Sequence, residues 1–118
     1  MIRTNFNFQN EIITMVRGDT VSFAVSIEDQ FGNPLDVETA YLTCRKNFTD
    51  AEPIFEKHIG RGIERASEGV YLVRIAPSDT KDVEIGQYFY DLQVGLNTDV
   101  FTILKGVIDI EWDVTGRS

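Results

Sequence analysis

The stretch Gly86-Gln87-Tyr88-Phe89-Tyr90-Asp91-Leu92-Gln93-Val94-Gly95-Leu96 alternates without a slip. Tyr88, Tyr90, Leu92, Val94 and Leu96 point one way, and Gln87, Asp91, Gln93 and Gly95 the other. Phe89 is the only large apolar residue on that second side. A period of two held over such a length reads as a strand with one face in a core and one toward water. Everything else in the chain must be built around it.

The flanking segments follow the same grammar. Residues 12–16 read as a short strand that is apolar on both sides, and Arg17-Gly18-Asp19 as the turn after it. In 20–28, Val21, Phe23, Val25 and Ile27 face in while Thr20, Ser22, Ala24 and Ser26 face out. These two segments are expected as the first two strands of a sandwich. Residues 29–34 form a loop, with Gly32 free to take positive φ and Pro34 fixing the exit. A strand over 39–47 turns Ala40, Leu42 and Cys44 inward, and a modest strand follows at 54–59. Gly60 and Gly62 bracket a turn before a short strand at 63–66. In 70–75, Tyr71, Val73 and Ile75 share one face. Ser78 or Asp79 is expected to cap one helical turn in 77–82. The run 100–114 is long for one strand, and a bulge is expected near Lys105-Gly106. Unbroken alternation puts Val100, Leu104, Ile108, Ile110 and Trp112 on one face, with Trp112 in the core. No stretch longer than a turn carries a helical period, so about seven to nine short strands make this an all-β sandwich.

Upstream of the central strand, Glu84-Ile85-Gly86-Gln87-Tyr88-Phe89-Tyr90 resembles the corner leading into strand F of immunoglobulin-like sandwiches. That resemblance gives Tyr88 the structural role of a tyrosine corner, its hydroxyl bonding back to the chain upstream. The fold class expected is therefore an immunoglobulin-like antiparallel β-sandwich. Residues 1–10 read as an N-terminal arm, 11–115 as the sandwich and 116–118 as a tail. The arm alternates Phe6 and Phe8 with polar residues, as an edge strand does, or an extended segment docking on a neighbour.

At 118 residues the chain is one domain, long enough to bury a core without staples. Eleven Lys and Arg stand against nineteen Asp and Glu, a net charge of −8. Such a surface repels phosphate backbones and anionic lipid, so neither nucleic acid nor a membrane is expected as partner. No apolar run approaches the length needed to span a bilayer, and 1–5 lacks an apolar signal-peptide core. The single cysteine, Cys44, forms no internal disulfide and reads as a small buried hydrophobe from a reducing compartment.

Signals for chemistry are sparse. His58 is the only histidine, so any histidine-based catalytic site must be built on it, and it reads as a solvated residue on a strand. Gly60-Arg61-Gly62 has too few glycines and no following helix for a phosphate loop. Asp29, Asn33, Asp36 and Glu38 offer oxygens for a Ca²⁺, but not at EF-hand spacing, and turn chemistry accounts for Asp29 and Asn33. No cofactor is expected. Asp109, Glu111 and Asp113 form an acidic stripe, a solvated face or a docking surface for a basic partner. Arg17-Gly18-Asp19 spells the tripeptide that integrins read, but it joins two apolar strands in a tight turn.

Four stretches in order carry a more specific resemblance. They are Val16-Arg17-Gly18-Asp19-Thr20-Val21-Ser22-Phe23, Asp29-Gln30-Phe31-Gly32-Asn33-Pro34-Leu35-Asp36-Val37, Gly86-Gln87-Tyr88-Phe89-Tyr90-Asp91-Leu92-Gln93-Val94, and Phe101-Thr102-Ile103-Leu104-Lys105-Gly106-Val107-Ile108-Asp109-Ile110 with Asp113-Val114-Thr115. Over residues 12–115 the chain resembles the immunoglobulin-like N-terminal domain of phage upper-baseplate and related tail proteins. The resemblance implies a non-enzymatic virion structural protein of the tail or baseplate, made in the bacterial host cytoplasm. Its partners would be other virion proteins and copies of itself. Baseplate members continue into long C-terminal regions and this chain ends at Ser118, so a free-standing virion component is expected. Phe6, Phe8, Phe31 and Phe89 are the expected subunit contacts, each open to the alternative of internal packing. A head-decorating or connector protein is the second placement. A carbohydrate- or receptor-binding module, with Tyr41 and Trp112 stacking on a sugar, is the alternative of another class.

Overall fold

The computed structural model describes residues 3–5, 12–47 and 49–113. Among these residues nine strands and one helical turn follow one another: β1 (Arg3–Asn5), β2 (Ile12–Val16), β3 (Val21–Glu28), β4 (Thr39–Arg45), β5 (Phe55–Ile59), β6 (Gly62–Ser67), β7 (Val70–Ile75), α1 (Pro77–Thr80), β8 (Gly86–Leu96) and β9 (Asp99–Glu111). Hydrogen bonding links them in the order β1-β3-β7-β6-β5-β4-β8-β9-β2. The sheet folds over at the β5–β6 junction. There β5 and β6 share only a two-residue parallel ladder, His58 with Gly62 and Ile59 with Ile63. One layer is then β1, β3, β7 and β6, and the other β5, β4, β8, β9 and β2. The result is a mixed sheet closing almost into a barrel, as an immunoglobulin-like sandwich does.

The inner faces are those the alternation marks. Phe23, Val25 and Ile27 of β3, Tyr71, Val73 and Ile75 of β7, and Ala40, Leu42 and Cys44 of β4 are buried. They meet Tyr88, Tyr90, Leu92 and Val94 of β8 in a single core. Each fully buried aliphatic side chain contributes about 1.5–3 kcal/mol relative to exposure, so this interior supplies most of the stabilisation.

Three expectations are corrected. First, the ladders are not all antiparallel. Strand β2 does not pair with β3 but runs parallel to β9, Ile12 opposite Val107 through Val16 opposite Glu111. Turn 17–20 therefore carries the chain between layers. Second, the bulge in β9 falls at Ile103, not at Lys105-Gly106. Leu104 faces Leu92, but the next pair is Thr102 with Gln93, so Ile103 is the extra residue. A one-residue insertion puts the side chains on its two sides out of step, so those before Ile103 lie on the face opposite to unbroken alternation. Val100 thus leaves the face of Leu104 and Ile108 and stands 68% exposed. Third, Trp112 lies outside the core, 63% exposed, because β9 ends at Glu111 and no ladder holds the next residue to the pleat.

In the helical turn Asp79 is the capping side chain, but from the third helical position. Its Oδ2 accepts the Ala76 N–H at 2.7 Å. Among the described residues no helix is long and apolar enough to cross a membrane.

Candidate functional site

The lower end of the sandwich gathers turn 17–20, α1 and the start of β8. The Tyr88 hydroxyl donates to the Glu84 carbonyl four residues upstream, at 2.5 Å. The Lys46 ammonium lies 4.8 Å above the same ring. Burial, then the Glu84 charge, pushes the Tyr88 hydroxyl above its ordinary pKa, so it stays a donor. The Arg17-Gly18-Asp19 turn is bound into this end rather than offered to solvent. Gly18, at φ 83, donates its N–H to buried Thr80 Oγ1 at 2.9 Å. The Arg17 guanidinium packs 4.8 Å from the Trp112 ring centre, while its Nη1 donates to the Val83 carbonyl at 3.4 Å.

Sequence reasoning missed Lys57. It sits on the inward parity of β5 beside Phe55, and its Nζ meets Asp79 Oδ2 at 2.6 Å in a nearly buried ion pair. Its stem passes so close to Gly62 that a Cβ there would lie 2.4 Å from Lys57 Cδ. The signal was present: a lysine at an inward position, followed by a glycine that makes room.

At the upper end, loop 29–38 holds itself in shape. Asp29 Oδ1 accepts the N–H groups of Phe31 and Asn33. The Asn33 N–H bond above all keeps the Asp29 carboxyl below its usual range, against an opposing burial effect, with the Phe31 N–H bond adding to it. Asp36 Oδ1 accepts from Arg65 Nε at 3.0 Å and from Gly69 N–H at 2.8 Å. Arg65 and Gly69 likewise hold Asp36 low. Glu38 accepts the N–H of Asn97. The four residues weighed as Ca²⁺ ligands are thus engaged in three separate turns. Among the described residues no three His, Cys, Asp or Glu side chains converge on a metal-sized point. The upper end also exposes apolar side chains, Phe31 at 77% and Val100.

Of the expected contact residues, Phe31 stands free on its loop. Phe89 is half-buried on the outer face of β8, in a shallow cleft of about 150 Å³ with Arg45, Asp91 and Lys105. Burial raises the Asp91 pKa, and the two cations oppose that shift. The cleft therefore holds mixed charge rather than an anion site. Phe6 and Phe8 lie outside the described residues.

His58 is half-buried. Its ring packs 6.1 Å from that of Tyr41, and its Nδ1 sits 3.1 Å from the Ile59 carbonyl. Tyr41 aligns with Gln93, whereas Trp112 follows the end of β9 opposite Gly86. At about 3.4 Å per residue the two rings are roughly 30 Å apart, so they do not grip one sugar. Along the acidic stripe Glu111 is exposed, while Asp109 and Asp113 are half-buried. Burial raises the Cys44 thiol to about 12, so in the closed sandwich it stays protonated and out of reach.

The arrangement defines a class by fold: an immunoglobulin-like β-sandwich. Solved structures agree. Over 95% of this chain and 58% of the other, it is similar to the structure titled "GspB Siglec domain", at 19% identity and TM-score 0.55. It is similar to "Marsupial T cell receptor" over 97% of this chain and 53% of that one, at 6% identity and TM-score 0.57. The chain spans little more than half the length of either. No protein-family profile matches it. No curated protein sequence matches it.

Proposed function

We propose that this chain is a non-enzymatic structural protein of a phage virion, placed in the tail or baseplate. It works through contacts with neighbouring virion proteins and is present in several copies per particle. It is made in the bacterial host cytoplasm and carried in the virion. The observation that supports this most is the upper end, where the interior is complete yet Phe31 and Val100 remain outside it. Apolar side chains left over from a finished core suit burial against another protein. The ordered motifs that resemble phage tail proteins supply the particle.

Purified virions, separated into tails and heads, test the reading by mass spectrometry. The chain is expected in the tail fraction at a fixed copy number. Recovery with heads moves it to a decorating or connector position. Absence from both fractions, with the chain left among soluble lysate proteins, overturns the proposal.

A further inference from the structure

We propose that the outer face of the β3–β7–β6 layer is self-complementary and docks a second copy of this chain. Leu72 would lie on Leu72, and Arg74 of each copy on the other's Glu64. Across this face Ser22 aligns with Arg74, Ala24 with Leu72, and Ser26 with Val70. Leu72 in turn faces Glu64 on β6. Small side chains on β3 thus leave Leu72 standing proud, 47% exposed. Beside it opens a cleft of about 340 Å³, walled by Ser22, Gly62, Glu64 and Arg74 and reached by Lys57. A projecting apolar side chain next to a hollow suits pairing with an identical surface.

Charge fixes the occupant. Glu64 and Arg74 are exposed and lie diagonally across neighbouring strands, and among the described residues neither side chain has a hydrogen bond or ion pair. Two sheets stacked through a two-fold axis in the plane between them exchange any two points placed symmetrically about that axis. Strands lie about 4.8 Å apart, and alternate residues about 6.8 Å apart along a strand. With those spacings, the axis that exchanges Arg74 and Glu64 runs within roughly 2 Å of Leu72 and Ala24. One symmetry operation therefore forms two ion pairs and centres the contact on Leu72. The other outer face carries Glu56, Asp91, Asp109 and Glu111 against Arg45 and Lys105, and would repel a copy of itself. The β3–β7–β6 face carries Glu64 and, at the far end of β3, Glu28 against Arg74, so in a chain of net charge −8 like meets like there with less repulsion.

This deepens the structural role proposed above, and rests on it only for the presence of many copies in one place. Its test uses the isolated chain, so the two readings fail separately. Sedimentation from about 10 µM to about 500 µM should show a dimer forming as concentration rises, as a small interface predicts. Leu72→Asp should weaken it about 100-fold. Arg74→Glu and Glu64→Arg should each weaken it at least about tenfold, and the double charge swap should restore it. Because all three side chains are exposed, circular dichroism should show every variant folded. A wild-type chain that stays monomeric throughout overturns the proposal. So does a dimer indifferent to Leu72→Asp, or a double swap no better than either single change.

Discussion

The two ends of the sandwich are held in opposite ways. The lower end is bolted from within, by Lys57 on Asp79, Thr80 on Gly18 and Tyr88 on Glu84. The upper end is tied at its surface, by Asp29, Asp36 and Glu38 holding backbone N–H groups. Its Tyr71 hydroxyl, which accepts the Val37 N–H at 2.9 Å, works from inside the core. A nearly buried ion pair is costly to break, because the surviving charge stays in low dielectric. Surface carboxylate ties contribute less and leave the loop apices free to present side chains such as Phe31. Nearly buried polar ties gather at the lower end, and loop apices presenting Phe31 and Val100 at the upper one.

Breaking the lower end should have the largest effect. Lys57→Met leaves the Asp79 carboxylate with its Ala76 N–H bond but no counter-charge, and should cost about 2–4 kcal/mol in denaturant unfolding. A loss below about 1 kcal/mol would show that solvent already screens the pair. Next is Gly69→Ala at the upper end. A Cβ there would sit 2.8 Å from the Ile27 carbonyl oxygen and the Leu35 nitrogen, at φ +70. It should cost about 2–3 kcal/mol, which would show that the upper end is rigid at its base and open only at its tips. Tyr71→Phe leaves the buried Val37 N–H without its acceptor and should cost about 1–2 kcal/mol by thermal melting.

The smallest effect sharpens the contrast by pH. Asp29 and Asp36 have folded pKa values below their unfolded ones. Their stabilisation is complete above the unfolded value and is lost as pH falls through the lower, folded value. Acidification below about pH 4 should therefore raise amide exchange first at Phe31, Asn33 and Gly69. Uniform loosening of both ends instead would erase the distinction.

Much of the fold was legible because period two is a strong signal. The inward rows of β3, β4, β7 and β8 read directly from the alternation of large and small residues. Three features escaped for physical reasons. The Ile103 bulge leaves no mark in composition, since β9 is apolar on both faces there. The parallel ladder of β2 with β9 joins segments some ninety residues apart, and no local propensity encodes that choice. Trp112 was assigned by parity past the point where the ladder stops. The surface was legible only in part. Phe31 is readable as an aromatic in a polar loop, whereas nothing in the sequence marks Leu72 until its alignment with Ala24 across β3 and β7 is known.

Cys44 has a practical consequence. Its sulfur is sealed between the layers at zero exposure, opposite Tyr90 and Phe55. An alkylating reagent can reach it only when the sheets part. The rate of thiol modification is thus a native clock for how often this sandwich breathes, needing no engineered probe.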